Sequence, residues 1–365
     1  PKNSKRRDKL RDFPFIKPID KTVFKIYFKD ILSSPVLVES EEQFKEVINN
    51  LLIQNRREEA KELSQQWINL QKKHFKINYK GKFINLGIKT AIMGVVNVTP
   101  DSFSNGSENY KDINYILDKV SKMLENGADI IDVGGESTRP GADPVDVDEE
   151  LSRVIPVIKA LRKELGDRFF ISIDTYKSQV AKAALEEGAD IVNDISGMSF
   201  DPDMVKVVAK YDCPVIINHI RGKPKDMQSG DIYYDDVVYD IVSFLRKQIK
   251  YGIENGIRPD RFIIDPGIGF GKRVEHNVEI IKRINEFKVL GLPILIGISR
   301  KSFLNVILKN LLTKTDVEPK DRLYASLGAT AYAVLNGVHI VRVHDVKETA
   351  QFLTILDTIR GFRLE

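Results

Sequence analysis

Between residues 91 and 343 one rhythm repeats eight times: a short apolar, largely β-branched run, then a stretch with helical spacing. The runs are Ala91–Val98, Ile130–Val133, Phe169–Ile173, Ile191–Val192, Val215–Ile217, Phe262–Ile264, Ile294–Ile298 and His339–Val343. Strands apolar on both faces belong in a sheet covered on both sides. Helical patterns lie between them, for example Ile113–Leu124, Val180–Leu185, Val237–Ile249 and Ala325–Leu335. This alternation predicts parallel strands joined by crossover helices. Asn126-Gly-Ala-Asp-Ile-Ile131, Glu187-Gly-Ala-Asp-Ile-Val192 and Asn336-Gly-Val-His-Ile-Val341 share one grammar, a helix ending on Gly and a short turn into a strand. Eight such units suit an α/β (β/α)8 TIM barrel better than an open doubly wound sheet. No Gly-x-Gly-x-x-Gly turn opens the first helix, as a dinucleotide fold requires.

The segment before the barrel reads differently. Lys2 to Arg11 is a basic cluster with the character of a solvated tail. Thr22 to Phe28 alternates enough for a short strand, and Ser40-Glu-Glu-Gln43 has capping-box form. Helical spacing follows through Phe44, Val47, Ile48, Leu51 and Leu52, and resumes after Glu59 through Leu63, Trp67 and Leu70. Phe75 to Leu86 alternates around Lys80-Gly81, as in a β-hairpin. The expected division is an accessory, mainly helical segment over 1–74, of unassigned role, and a barrel domain over 75–365.

Composition narrows the function classes. A net charge of +4 in 365 residues is too weak to argue for nucleic acid, and no apolar run approaches the roughly 20 residues that span a bilayer. The single Cys213 excludes an internal disulfide and suits a reducing, cytoplasmic setting. The basic N-terminus lacks the apolar core of a signal peptide, and a chain beginning at Pro1 fits either removal of an initiator Met or a fragment.

In a barrel of this kind chemistry gathers at the C-terminal ends of the strands. Those positions hold Asn97 with Thr99-Pro-Asp101, then Gly134-Gly-Glu-Ser-Thr-Arg-Pro-Gly141, Asp174, Asn193-Asp194, Asn218-His219, Asp265-Pro-Gly267, Ser299-Arg-Lys301 and Arg342-Val-His344. Some would serve as ordinary helix caps. A full ring of polar ends above apolar strands points to a site. Asp174, Asn193 and Asp265 supply acceptors and an amide, suited to a planar heterocycle with adjacent N–H groups. Arg139, Lys301, Arg342 and His344 supply cationic donors for a phosphate or diphosphate, and Asn97 offers a neutral oxygen for Mg²⁺. Gly267-Ile-Gly-Phe-Gly-Lys272 lacks the ending of a P-loop, and the five His show no zinc-like pairing.

These residues resemble a known family. Asn97-Val-Thr-Pro-Asp-Ser-Phe-Ser104 and Asp132-Val-Gly-Gly-Glu-Ser-Thr-Arg-Pro-Gly-Ala142 are similar to the first two signatures of the dihydropteroate synthases. Ser172-Ile-Asp-Thr175, Asn193-Asp-Ile195, His219 with Gly222 and Pro224, Asp265 to Lys272, Ser299-Arg-Lys-Ser302 and Arg342 to Val346 continue the series in order. The likeness runs from about residue 88 to the end. It implies a transferase of folate biosynthesis that joins 4-aminobenzoate to 6-hydroxymethyl-7,8-dihydropterin diphosphate and releases pyrophosphate. Carried onto this chain, Asp174, Asn193, Asp265 and Lys301 hold the pterin, with Ile220 and Phe270 packed on it. Ile220 stands where the family often has Met. Asn97, Arg342 and His344 hold the diphosphate, with Mg²⁺ on Asn97. Thr138, Arg139, Pro140, Phe103, Phe270 and Ser302 shape the aminobenzoate end, and Asp101 joins the catalytic set as the first two loops close. The resemblance also implies small-molecule substrates, a homodimer paired through barrel helices, and a sulfonamide target.

Two other readings share parts of this pattern. A pterin-dependent methyltransferase would use the pterin carboxylates but has no reason for Asp101, Arg139 or Arg342 with His344. A silent pterin-binding scaffold would bind the diphosphate without turnover.

Overall fold

The computed structural model describes residues 12–20, 22–29, 34–99 and 112–362. Eight parallel strands form the barrel: β6 (Ala91–Asn97), β7 (Ile130–Gly134), β8 (Phe170–Asp174), β9 (Ile191–Asp194), β10 (Val215–Asn218), β11 (Phe262–Asp265), β12 (Leu295–Ile296) and β13 (Ile340–Val343). Their order is β11-β10-β9-β8-β7-β6-β13-β12, and a bridge between Ile264 and Ile294 draws the two ends together. Each expected run carries a strand. Nearly all their side chains are buried, because helices cover the outer face and packed residues fill the inner one.

The crossovers are α3 (Ile113–Glu125), α4 (Val147–Leu165), α5 (Ser178–Glu186), α6 (Met204–Tyr211), α7 (Val237–Glu254), α8 (Val274–Lys282), α9 (Ser302–Leu308), α10 (Leu323–Leu335) and α11 (Val346–Ile359). The three repeated Gly turns are left-handed, with φ of 93° at Gly127, 113° at Gly188 and 107° at Gly337. That is the conformation the shared grammar requires.

The segment ahead of the barrel is not helices alone. Strands β1 (Phe15–Pro18), β2 (Phe24–Tyr27) and β3 (Val36–Val38) form an antiparallel sheet, followed by α1 (Glu41–Ile53) and α2 (Arg57–Gln71). Ser40 caps α1 as expected, its Oγ accepting from the Gln43 N–H at 3.2 Å. Gln43 returns to the Glu39 N–H at 2.7 Å, one residue before the usual box partner. Trp67 stacks on Phe44 with ring centroids 4.2 Å apart. Gln66 ties α2 to β1 through the Ile16 N–H and the Pro14 carbonyl, and Asn69 Nδ2 donates to the Val289 carbonyl beside the barrel at 2.7 Å. The core residues Phe13 to Leu70 are continuous with the barrel core. The hairpin β4 (Phe75–Tyr79) and β5 (Lys82–Leu86) turns at Lys80-Gly81 as predicted.

Candidate active site

The parallel ladder aligns the site. Asn97 pairs in register with Gly134, Gly134 with Asp174, and Asp174 with Asn193, so four strand ends form one row. Gly134 leaves room in that row. A Cβ there would lie 3.6 Å from Asp174 Oδ2 and 3.8 Å from Asn97 Oδ1.

Arg342 on β13 organises the carboxylates. Its Nε donates to Asp132 Oδ2 and its Nη2 to Asp174 Oδ2, each at 2.6 Å. Asn193 Nδ2 reaches Asp132 from the other side at 3.2 Å. Asp132, fully buried on β7, was not among the site residues expected from sequence. Its signal was present: it is the single charged residue inside an apolar strand, and a buried carboxylate needs a partner. The partner is 210 positions away, which local spacing cannot reveal.

Burial sets the protonation behaviour. It pushes the Asp174 carboxyl up to about 7; Arg342 favours the ionised form, and Asp132 opposes it. Burial also raises Asp265, whose Oδ1 accepts from the Gly267 N–H at 2.7 Å. Lys301 is lowered to about 8, first by burial and then by Arg342, and its Nζ lies 4.2 Å from the Phe270 ring centre. Arg342 itself shifts upward, since Asp132 and Asp174 outweigh its burial.

His344 corrects one expectation. It was expected among the cationic donors, yet burial and the neighbouring Arg342 push it down to about 3, so it is neutral near pH 7. Its Nδ1 lies 3.0 Å from Ser299 Oγ, which also accepts the His344 backbone N–H at 3.3 Å. With the hydroxyl donating to Nδ1, Nε2–H remains as a neutral donor.

Ile220 is buried in a small apolar cluster with Ile195 and Met227, against which Phe270 packs. Nearby Lys272, fully enclosed, donates to the carbonyls of His219 at 3.1 Å and Phe270 at 3.0 Å. This joins the loops after β10 and β11, a role the motif reading left unassigned. Arg300 is likewise new. It holds a left-handed φ of 61° directly before Lys301, and its Nε donates to Asp345 at 3.1 Å.

The aminobenzoate set is less gathered. Thr138, Arg139 and Pro140 lie on the loop after β7, with Arg139 and Pro140 exposed, and Ser302 is exposed at the start of α9. The described hydrogen bonds of that loop's tip run to Pro224 and Lys225, not to Ser302. Asp101 and Phe103 lie outside the described residues.

Among the described residues no three His, Cys, Asp or Glu side chains cluster as metal ligands. Asn97, half-buried at its strand end, offers one neutral oxygen. That suits a hard cation that keeps its waters and shares substrate phosphates, and does not suit a transition metal. Among the same residues, no helix is long and apolar enough to cross a membrane.

Residues 93–344 match the family model described as pterin binding enzyme. The chain is 42% identical to the dihydropteroate synthase of Synechocystis sp. over 273 residues, covering 75% of this chain and 91% of that protein. It is similar to the Yersinia pestis dihydropteroate synthase solved with a sulfonamide drug complex, at TM-score 0.72 and 36% identity, covering 79% of this chain and 100% of that one. A Clostridium difficile dihydropteroate synthase solved in the presence of pteroic acid gives TM-score 0.68 and 45% identity, covering 75% and 98%.

Proposed function

The chain belongs to the pterin-binding enzyme family, and from that membership we propose its reaction: it is a dihydropteroate synthase, a transferase of folate biosynthesis. It condenses 6-hydroxymethyl-7,8-dihydropterin diphosphate with 4-aminobenzoate to give 7,8-dihydropteroate and pyrophosphate. The observation that carries this reading is the Arg342–Asp132–Asp174–Asn193 network, with Lys301 and Asp265 beside it at neighbouring strand ends.

Asp174, Asn193 and Asp265 accept from and orient the pterin ring, Lys301 donates to it, and Ile220 and Phe270 pack on it. The enclosed pocket strengthens each of these interactions. Arg342 and the neutral Nε2–H of His344 face the diphosphate and stabilise the charge that develops on pyrophosphate as the C–O bond breaks. Asn97 holds Mg²⁺, which supplies further neutralisation of the diphosphate. Thr138, Arg139, Pro140, Phe270 and Ser302 receive the aminobenzoate, with Phe103 and Asp101 completing the set. No side-chain nucleophile is required, so catalysis is positioning plus electrostatic stabilisation.

Residues 75–365 carry the chemistry and 1–74 are accessory. The enzyme is cytoplasmic, takes small-molecule substrates and works as a homodimer through its barrel helices. Exposed Tyr324, Leu335, Ile355 and Ile359 on α10 and α11 support that pairing.

Calorimetry tests the assignment against its rivals. Micromolar or tighter binding of the pterin diphosphate, with none of methyltetrahydrofolate, is expected. The reverse preference would indicate the methyltransferase.

A further inference from the structure

The loop carrying Thr138, Arg139 and Pro140 leaves β7 at Gly134 and enters α4 at Val147. One carboxylate fastens both of its feet. Glu136 is 8% exposed, and its Oε2 accepts from the Val145 N–H at 3.1 Å and from Lys177 Nζ. Its Oε1 accepts from the Tyr176 hydroxyl at 2.8 Å. Lys177 Nζ also donates to Glu150, which is buried in α4. Glu136 thus joins the start of the loop, its return, and the residues that follow Asp174.

Between these feet, residues 137–144 form an arch. Its tip turns on a bond from the Ala142 N–H to the Arg139 carbonyl, and the Gly141 N–H reaches the Pro224 carbonyl, both at 3.1 Å. The surroundings are secured without Glu136. Gly135 is packed so closely against Val154 that a Cβ would lie 2.8 Å from its Cγ1. Beyond β8, the Thr175 N–H donates to the Asn193 carbonyl at 3.0 Å and the Ser178 N–H to Asp201 at 2.8 Å. Loss of the Glu136 carboxylate would therefore loosen the arch at its feet, leaving its tip bonds to Pro224 and Lys225 and the barrel strands in place.

We propose that Glu136 is a positioning residue for the second substrate: it clamps the arch so that Thr138 and Arg139 are presented to 4-aminobenzoate. This rests on the dihydropteroate synthase reading given above. An arch loosened at its feet must be ordered again at each encounter, so the loss falls on aminobenzoate capture. The side chains of Asp174, Asn193, Asp265 and Arg342 bond to Asp132, to one another or to Gly267, and not to Glu136, Tyr176 or Lys177.

The test combines steady-state kinetics with hydrogen exchange of the full chain. In Glu136→Ala, exchange over residues 137–145 should quicken about tenfold and the KM for 4-aminobenzoate should rise about tenfold, as loss of a charged hydrogen bond implies. The Kd for the pterin diphosphate should stay within about twofold. Glu136→Gln, which keeps an oxygen for the Val145 N–H, should fall between Ala and wild type. An unchanged KM for 4-aminobenzoate, or equal losses for both substrates, would overturn the clamp. Should Glu136→Ala fail to fold, Tyr176→Phe removes one bond alone and should show the same ordering at smaller size; no rise in KM would contradict the proposal. If the wild-type protein turns nothing over, the reading of the reaction falls, and the exchange comparison still decides the clamp.

Discussion

Arg342 and Asp174 stand 2.6 Å apart across the mouth of the barrel, and the same guanidinium holds Asp132 at 2.6 Å. One cation thus compensates two enclosed carboxylates. Arg342→Ala should cost more than diphosphate binding, because removing one partner of a buried pair costs about 3–5 kcal/mol. Thermal unfolding should show a lowered Tm, and binding of the pterin diphosphate should weaken more than that of the unphosphorylated pterin. Equal loss for both ligands would mean that the diphosphate is held elsewhere.

With Asp174 accepting from the pterin as proposed, Asp174→Asn places a donor where the ring presents donors. Affinity for the pterin should fall roughly 10- to 100-fold, as for a hydrogen bond to a charged group lost in a closed site. Calorimetry at pH 8 reads this directly, and an unchanged Kd would remove Asp174 from the pterin site.

The pH dependence of that binding has two limbs. Asp174 titrates near 7, so its accepting carboxylate is lost as pH falls below that value. Lys301 titrates near 8, so its charge is lost as pH rises above it. Affinity should peak between about 7 and 8. Asp174→Asn should flatten the acidic limb, and a flat wild-type profile from about pH 5.5 to 9 would contradict both assignments.

Stability should depend on His339 in the opposite region. Its Nδ1 accepts the Ile294 N–H at 3.1 Å, and burial lowers it to about 4 from 6.5. Between those values the unfolded chain binds a proton that the folded chain does not, so stability falls as pH drops through this window. The contribution reaches roughly 3 kcal/mol, and buried His344 acts in the same direction. Urea titrations at several pH values should show a shallower acid loss for His339→Gln than for wild type. Identical slopes would remove His339 as the cause.

Arg300 sits at φ 61°, strained for a side-chain-bearing residue by on the order of 1–3 kcal/mol. Its N–H donates to Ser326 Oγ at 3.1 Å, its carbonyl accepts from Arg322 at 3.1 Å, and its guanidinium pairs with Asp345. Arg300→Gly keeps the turn and cuts the tether to the strand end bearing His344. It should fold normally and bind the pterin diphosphate several-fold more weakly; wild-type affinity would show that Lys301 is placed without the tether.

Removing residues 1–73 should destabilise the barrel. Phe287 and Val289 are buried beside α2, and Asn69 bonds the Val289 carbonyl. A shortened chain should show a lower Tm in scanning fluorimetry, and an equal Tm would mean that the segment contributes nothing to the fold.

The barrel was legible because strands buried on both faces must be apolar and their ends polar. Gly127, Gly188 and Gly337 marked three helix ends for the same local reason. Strands β1 and β3 carry no readable period: Phe15-Ile-Lys-Pro18 does not alternate and ends on Pro, and Val36–Val38 is only three residues long. The run Ile294–Ile298 yields only Leu295–Ile296 as strand. There the Ile294 N–H turns to the His339 ring in place of a backbone partner. Polar strand ends marked Asp174, Asn193, Asp265 and Lys301 as candidates. They could not give Asp132 or Glu136, whose partners Arg342 and Lys177 lie 210 and 41 positions away. Nor could the sequence show that His344 is neutral, since its pKa follows from burial and from Arg342.

Pyrophosphate release with Mg²⁺, the pterin diphosphate and 4-aminobenzoate, each omitted in turn, reads the proposed reaction itself. Release that needs all three, with 7,8-dihydropteroate formed in equal amount, is the predicted result. Tight binding of the pterin diphosphate without any release would contradict it and mark the chain as a silent pterin-binding protein.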